Sequence, residues 1–165
     1  TLETYLATKS GRFRAGNVAE KSFRDEGVVL GQARLGGAVD LLEIDQAARE
    51  IVVVDYKTGH LGSDPAKLHR YTLQLYCYKL LVENSHAYKN YQVNEGRLVF
   101  VEPDSEGVCV HKTIRFTDAQ TERTSALLQA VWHNIITLTM PDVSDYGDTL
   151  KDMLAFENQL LAVPK

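Results

Sequence analysis

The chain has 165 residues, 44% of them hydrophobic, which is enough for one proper core and requires no second domain. Its 18 Lys and Arg against 22 Asp and Glu give a formal net charge of −4. That balance argues against a protein that grips nucleic acid by bulk electrostatics, since counterion release needs clustered cations, but it leaves local binding open. Nothing in the sequence reads as a signal peptide or as an apolar run long enough to cross a bilayer. The two cysteines, Cys77 and Cys109, have no metal-ligand spacing, so reduced thiols in a cytoplasmic protein are expected.

In chain order, Thr1 to Lys9 reads as the end of a helix and Ser10 to Asn17 as a basic loop. Arg12 and Arg14 in that loop are candidate phosphate contacts; the plainer account is solvated loop charge. Strands are predicted over Val18–Arg24, Val28–Leu35, Ala38–Ile44 and Ile51–Tyr56, divided by turns, which together make a run of antiparallel pairings. His60 to Lys67 is a polar loop, and Asp64-Pro65 marks the start of the next helix. Lys67, His69 and Arg70 cluster at that helix entrance, with phosphate contact and simple solvation both open. Further strands are expected over Arg97–Glu102 and Val108–Phe116, around a Pro103–Gly107 turn. Thr117-Asp118-Ala119-Gln120 then opens a helix to about Thr139, with Leu127, Leu128, Val131, Ile135 and Leu138 on one face. A last helix spans Asp148–Ala162 and is expected either to close the core or to dock on a neighbouring domain.

The stretch Ile51-Val52-Val53-Val54-Asp55-Tyr56-Lys57-Thr58-Gly59 stands out. An unbroken β-branched run suits a strand buried on both faces. Residues two apart in a strand share a side, so Asp55 and Lys57 stand together where the buried run ends, with Tyr56 turned away. Opposite charges there are costly unless compensated. They make either a salt bridge before a Thr-Gly turn, or a carboxylate that holds a metal beside an ammonium that handles a water. A second acid, Asp40, lies in the strand-like Leu35-Gly36-Gly37-Ala38-Val39-Asp40-Leu41-Leu42, where a lone carboxylate would be poorly tolerated. If the two strands form a hairpin, both carboxylates converge on one divalent cation. Gly37 would let the backbone bend or a ligand approach. Gln74 and Tyr78, four apart in an apolar helix, share a face.

The order Gly-x-x-Asp, then Asp-x-Lys-Thr-Gly after a hydrophobic strand, then Gln-x-x-x-Tyr on the next helix resembles the RecB-type branch of the PD-(D/E)XK nuclease superfamily. The resemblance covers roughly Val18 to Val82. It implies an α/β, restriction-endonuclease-like core with a mixed central sheet flanked by helices. It also implies a metal-dependent DNA nuclease, an exonuclease on single-stranded or unwound DNA in repair or recombination, with a helicase domain in the same chain or complex. Asp40 resembles the metal-binding aspartate of the first motif, with Val39 where the superfamily name has proline. Asp55 matches the second acid and Lys57 the catalytic lysine. Gln74 and Tyr78 match the accessory motif, and the Tyr56 backbone carbonyl is implied as a further ligand to Mg²⁺ or Mn²⁺. Glu20 resembles an acid on the strand entering the core, as a supporting residue. No histidine precedes Asp40, although this branch often carries a metal-binding one there; His60, His69, His86, His111 and His133 all follow. The chain opens at Thr1 without Met, so residues 1–165 are expected to be one nuclease domain cut from a longer protein. Two other readings stay open: a nuclease-fold module that clamps DNA or docks on a helicase without cutting, and an unrelated α/β domain with ordinary salt bridges.

Overall fold

A computed structural model describes residues 16–60 and 62–162. The predicted helix end over 1–9, and Arg12 and Arg14, lie outside the described residues. In chain order the elements are β1 (Val18–Ser22), β2 (Val28–Leu30), β3 (Ala33–Leu35), β4 (Ala38–Asp45) and β5 (Glu50–Lys57). They are followed by α1 (Pro65–Glu83), β6 (Gln92–Pro103), β7 (Cys109–Arg115), α2 (Asp118–Thr137) and α3 (Leu150–Ala162). The architecture is a mixed five-stranded sheet in the order β1-β4-β5-β6-β7, flanked by helices, which is the restriction-endonuclease-like arrangement.

The run of sequential antiparallel pairings is corrected by this topology. The predicted strand Val28–Leu35 is broken at Gly31, which takes a left-handed φ of 59°, and its halves β2 and β3 form a separate hairpin. β1 therefore skips that hairpin and pairs with β4, Ala19 opposite Leu41 and Lys21 opposite Val39. β4 and β5 do form the predicted antiparallel hairpin, with Leu41 opposite Val54. β5 then pairs in parallel with β6 through the crossover helix α1, because parallel neighbours cannot be joined by a tight turn.

Alternation along β5 sets the two faces of the sheet. Ile51 and Val53 join the main core with Leu42, Leu75, Leu98 and Phe100, while Val54 turns to the opposite face with Leu41, Val99 and Cys109. Each fully buried aliphatic or aromatic side chain contributes about 1.5–3 kcal/mol, so this strand is among the best anchored of the sheet. Helix α1 begins as expected: the Asp64 side chain accepts from the Ala66 amide and Pro65 is the first helical residue. It lies close on β6 at Gly96, where an added Cβ would come within 2.7 Å of Phe116 Cζ and 3.2 Å of Leu75 Cβ.

The last two helices differ from expectation in their burial. Thr117 caps α2 as predicted, but of its expected apolar face Leu127 is buried whereas Ile135 is 51% and Leu138 91% exposed. The apolar stripe outruns the surface it packs on, and Leu138 ends the helix in left-handed backbone. Helix α3 docks through a partly buried polar network centred on Glu157 rather than through leucines alone. Glu157 on α3 meets His69 Nε2 of α1 at 2.6 Å and Arg123 of α2 at 3.1 Å. Among the described residues no helix is long and apolar enough to cross a membrane, and both cysteines are free thiols. Burial pushes the Cys77 thiol up to about 11.

The close approach at Gly96 yields a stability prediction. Gly96→Val is expected to lower the unfolding free energy by about 1–3 kcal/mol through overpacking, read from urea denaturation. An unchanged midpoint at equal slope would show that α1 does not sit this tightly on the sheet.

Candidate active site

The site forms where β4 and β5 part. Pairing between them stops at Leu41–Val54, while β4 stays paired to β1 as far as Ala38. Past that fork the amide N–H of Tyr56 donates to Asp40 Oδ2 at 2.7 Å, so a side chain replaces the missing rung of the ladder. Asp40 and Asp55 are thereby held beside one another on the face covered by α1. Tyr56 points to the other face, against the smaller core cluster, as the strand period requires.

Asp55 is 2% exposed, and three side chains close a ring with it. Lys57 Nζ lies 2.6 Å from Asp55 Oδ2 and donates to Gln74 Oε1 at 2.7 Å. Gln74 Nε2 donates to Tyr78 Oη at 2.7 Å, and that hydroxyl donates to Asp55 Oδ1 at 3.2 Å. The Gln74 amide is oriented so that its oxygen faces a cation and its nitrogen faces a phenol, using both ends. Helical spacing puts Gln74 and Tyr78 one turn apart and makes this possible.

Electrostatics follow from burial. Desolvation raises the Asp55 pKa, and the charge of Asp40 adds to the rise; the close Lys57 ammonium and the Tyr78 hydroxyl oppose it. Tyr78 is pushed up to about 12, chiefly by burial and then by the Asp55 charge, so it stays a protonated donor. The Lys57 contact to Asp55 Oδ2 is a charge contact off the hydrogen-bonding direction, so that buried oxygen carries no aligned hydrogen bond.

This bears on metal binding. The carboxylates of Asp40 and Asp55, the latter with one buried oxygen that keeps spare acceptor capacity, are oxygen donors that suit a hard divalent cation keeping several waters. Among the described residues no group of three or more His, Cys, Asp or Glu is placed to hold a metal, so Asp40 and Asp55 have no third such group beside them there.

Other predicted residues fall differently. Glu20 is exposed, adopts a left-handed φ of 50°, and its side chain joins no hydrogen bond or ion pair among the described residues. It lies one position along from the Ala19–Leu41 pair, facing the Asp40 stretch of β4 across the strand edge. The basic cluster at the start of α1 is divided by the helix period. His69 turns to Glu157, and the Arg70 guanidinium lies 3.9 Å from Met153 Sδ, both toward α3. Lys67 stays on the side of the ring and donates to the His60 carbonyl at 3.2 Å. Two residues near the ring were not singled out from sequence. Tyr71 lies under Lys57 Nζ, 4.5 Å from its ring centroid, one turn before Gln74 on the same helix face; the Tyr-x-x-Gln spacing was the available signal. Arg34 is an exposed residue of β3 at the rim of a recess of about 210 Å³ beside Tyr78, floored by Gly36 and Gly37. Only the tertiary fold brings it there.

The family model of the PD-(D/E)XK nuclease superfamily matches residues 2–148. The chain belongs to that superfamily, and its fold is the one its nucleases share; nucleases of this superfamily generally use divalent metal ions. Among solved structures it is similar to one titled "Crystal structure of SSO0001", at 19% identity and a TM-score of 0.42, covering 84% of this chain. The chain spans 56% of that structure's length. No curated protein matches it.

The ring makes a prediction about pH. A carboxyl whose pKa is raised by folding holds its proton more tightly in the native state, so its contribution to stability is greatest in acid and falls as pH climbs through the folded pKa. Lys57→Met removes the largest influences that lower the Asp55 pKa. Without divalent metal, the urea midpoint of Lys57→Met is expected to fall more steeply than that of the wild type between about pH 4 and about pH 8. Parallel pH profiles would show that Lys57 does not neutralise Asp55.

Proposed function

We propose that this chain is a Mg²⁺- or Mn²⁺-dependent deoxyribonuclease that hydrolyses phosphodiester bonds, acting as an exonuclease on single-stranded or unwound DNA in repair or recombination. The observation that carries the reading is the closed ring of Lys57, Gln74 and Tyr78 on the buried Asp55, next to Asp40 at a strand fork. Asp40, Asp55 and the Tyr56 carbonyl would hold the cation. When bound, it supplies Lewis acidity, lowering the pKa of a water and offsetting charge on the phosphate. The remaining work falls to the chain's own groups. The Lys57 ammonium, fixed by Gln74, orients the attacking water and stabilises negative charge as the new P–O bond forms and the old one breaks. Tyr78, a phenol that stays protonated, holds the Asp55 carboxylate in place. Lys67 is the described cation best placed to meet a phosphate beside the ring, while Arg70 serves at the α3 side. A net charge of −4 suits an enzyme to which a partner feeds the strand, so we read residues 1–165 as one nuclease domain of a longer cytoplasmic protein working with a helicase in the same chain or complex.

A second reading has one observation in its favour. With no third carboxylate or histidine at the acids among the described residues, the metal site is lean, as in a nuclease-fold module that clamps DNA without cutting it. Cleavage assays separate the two. Asp40→Ala, Asp55→Ala and Lys57→Ala are each expected to lower metal-dependent cleavage of a labelled single-stranded oligonucleotide on the order of a hundredfold or more. Circular dichroism should remain that of the folded protein. Near-wild-type cutting by any of the three removes that residue from the mechanism. A wild-type chain that binds the oligonucleotide with Mn²⁺ and never cuts it is the clamp.

A further inference from the structure

The Lys57 ammonium has three neighbours. It donates to Gln74 Oε1 at 2.7 Å, lies 2.6 Å from Asp55 Oδ2 in an ion pair, and sits 4.5 Å from the centroid of Tyr71. Tyr71 belongs to a stripe on α1 that runs Lys67, Tyr71, Gln74, Tyr78, at spacings of four, three and four, hence on one helix face. The Lys67 ammonium lies 5.8 Å from the same ring and bonds the His60 carbonyl, tying the turn after β5 to the helix. The Tyr71 hydroxyl makes no hydrogen bond among the described residues, so its aromatic face, and not its polar tip, is the part in use.

We infer that Tyr71 is a positioning residue: its ring holds the Lys57 ammonium in the orientation that the reaction uses. The inference rests on the nuclease reading. A lysine side chain has roughly 2 kcal/mol of rotamer freedom to lose, and a single anchor leaves much of it. Asp55 alone is an ambiguous anchor, because the same carboxylate is the candidate ligand for a cation, and its pull on Lys57 weakens once its charge is shared. The attraction of an ammonium to a ring face draws on neither carboxylate lone pairs nor the ionisation of Asp55. Tyr71 therefore fixes Lys57 by a means independent of what occupies the acids. Leucine at this position preserves apolar bulk without a π face, and phenylalanine preserves the face without the hydroxyl.

The test has one readout that needs no activity. In metal-free protein with ¹³C-labelled lysine, the Lys57 Cε–H resonances, assigned with Lys57→Arg, are expected to carry an upfield ring-current shift. That shift should persist in Tyr71→Phe and vanish in Tyr71→Leu and Tyr71→Met. In Mn²⁺-dependent oligonucleotide cleavage, Tyr71→Leu and Tyr71→Met should lower kcat roughly tenfold with KM within about twofold, and Tyr71→Phe should restore it. Wild-type kcat in both aliphatic variants, or a loss in Tyr71→Phe equal to theirs, overturns the inference and leaves the nuclease reading standing. A wild-type protein that shows the ring-current shift but cuts no nucleic acid with any divalent metal overturns both.

Discussion

An aspartate with 2% exposure at the tip of a core strand sets the terms for everything around it. Removing a carboxylate from water costs several kcal/mol, and the pair it forms with Lys57 returns that only when the remaining lone pairs are met. Each neighbouring feature of the fold meets part of that need. The fork between β4 and β5 gives the acids room, α1 brings Gln74 and Tyr78 down onto them, and Gly96 lets the helix come close enough to do so. A buried ion pair is weak evidence of stability, since apolar residues of similar volume often serve a fold as well or better. The arrangement is better understood as chemistry that the core has been built to tolerate.

What the sequence revealed, and what it hid, divides along the range of the interactions. The burial of Ile51, Val53 and Val54, the shared side of Asp55 and Lys57, the Asp64-Pro65 helix start and the common face of Gln74 and Tyr78 all follow from periods of two or 3.6 residues, or from a cap a few residues long. Each is decided locally and was legible. The break at Gly31 was not, because an isolated glycine in an apolar stretch is equally compatible with a continuous strand or a two-strand hairpin until the partner strand is known. The pairing of β1 with β4 is a choice among distant partners that no window of sequence contains. The exposure of Ile135 and Leu138 shows the same limit from the other side, for an amphipathic stripe says which face is apolar and not how far the surface beneath it extends.

Electrostatics explain why a chain of negative net charge can carry this site. The field that matters to an approaching phosphate is set within about a Debye length, roughly 10 Å at moderate salt, and there Lys57 and Lys67 stand against the carboxylates of Asp40 and Asp55, so a bound cation would tip the local balance positive. The excess carboxylates of the chain act at longer range and are largely screened. A chain of this overall charge gains little from diffusional steering.

Rigidity is the last consequence of the ring. Its members come from two secondary-structure elements, β5 and α1, each seated in the main core: Val53 and Leu75 are fully buried. Preorganised groups stabilise developing charge because they need no reorganisation at the moment of reaction, and that holds only if their supports cannot move. Placing Lys57 at the end of a strand buried on both faces, and Gln74 one residue before a fully buried leucine, transfers the stiffness of the core to the atoms of the site. A loop could present the same side chains at the same distances, but not hold them there against the arrival of a charged substrate.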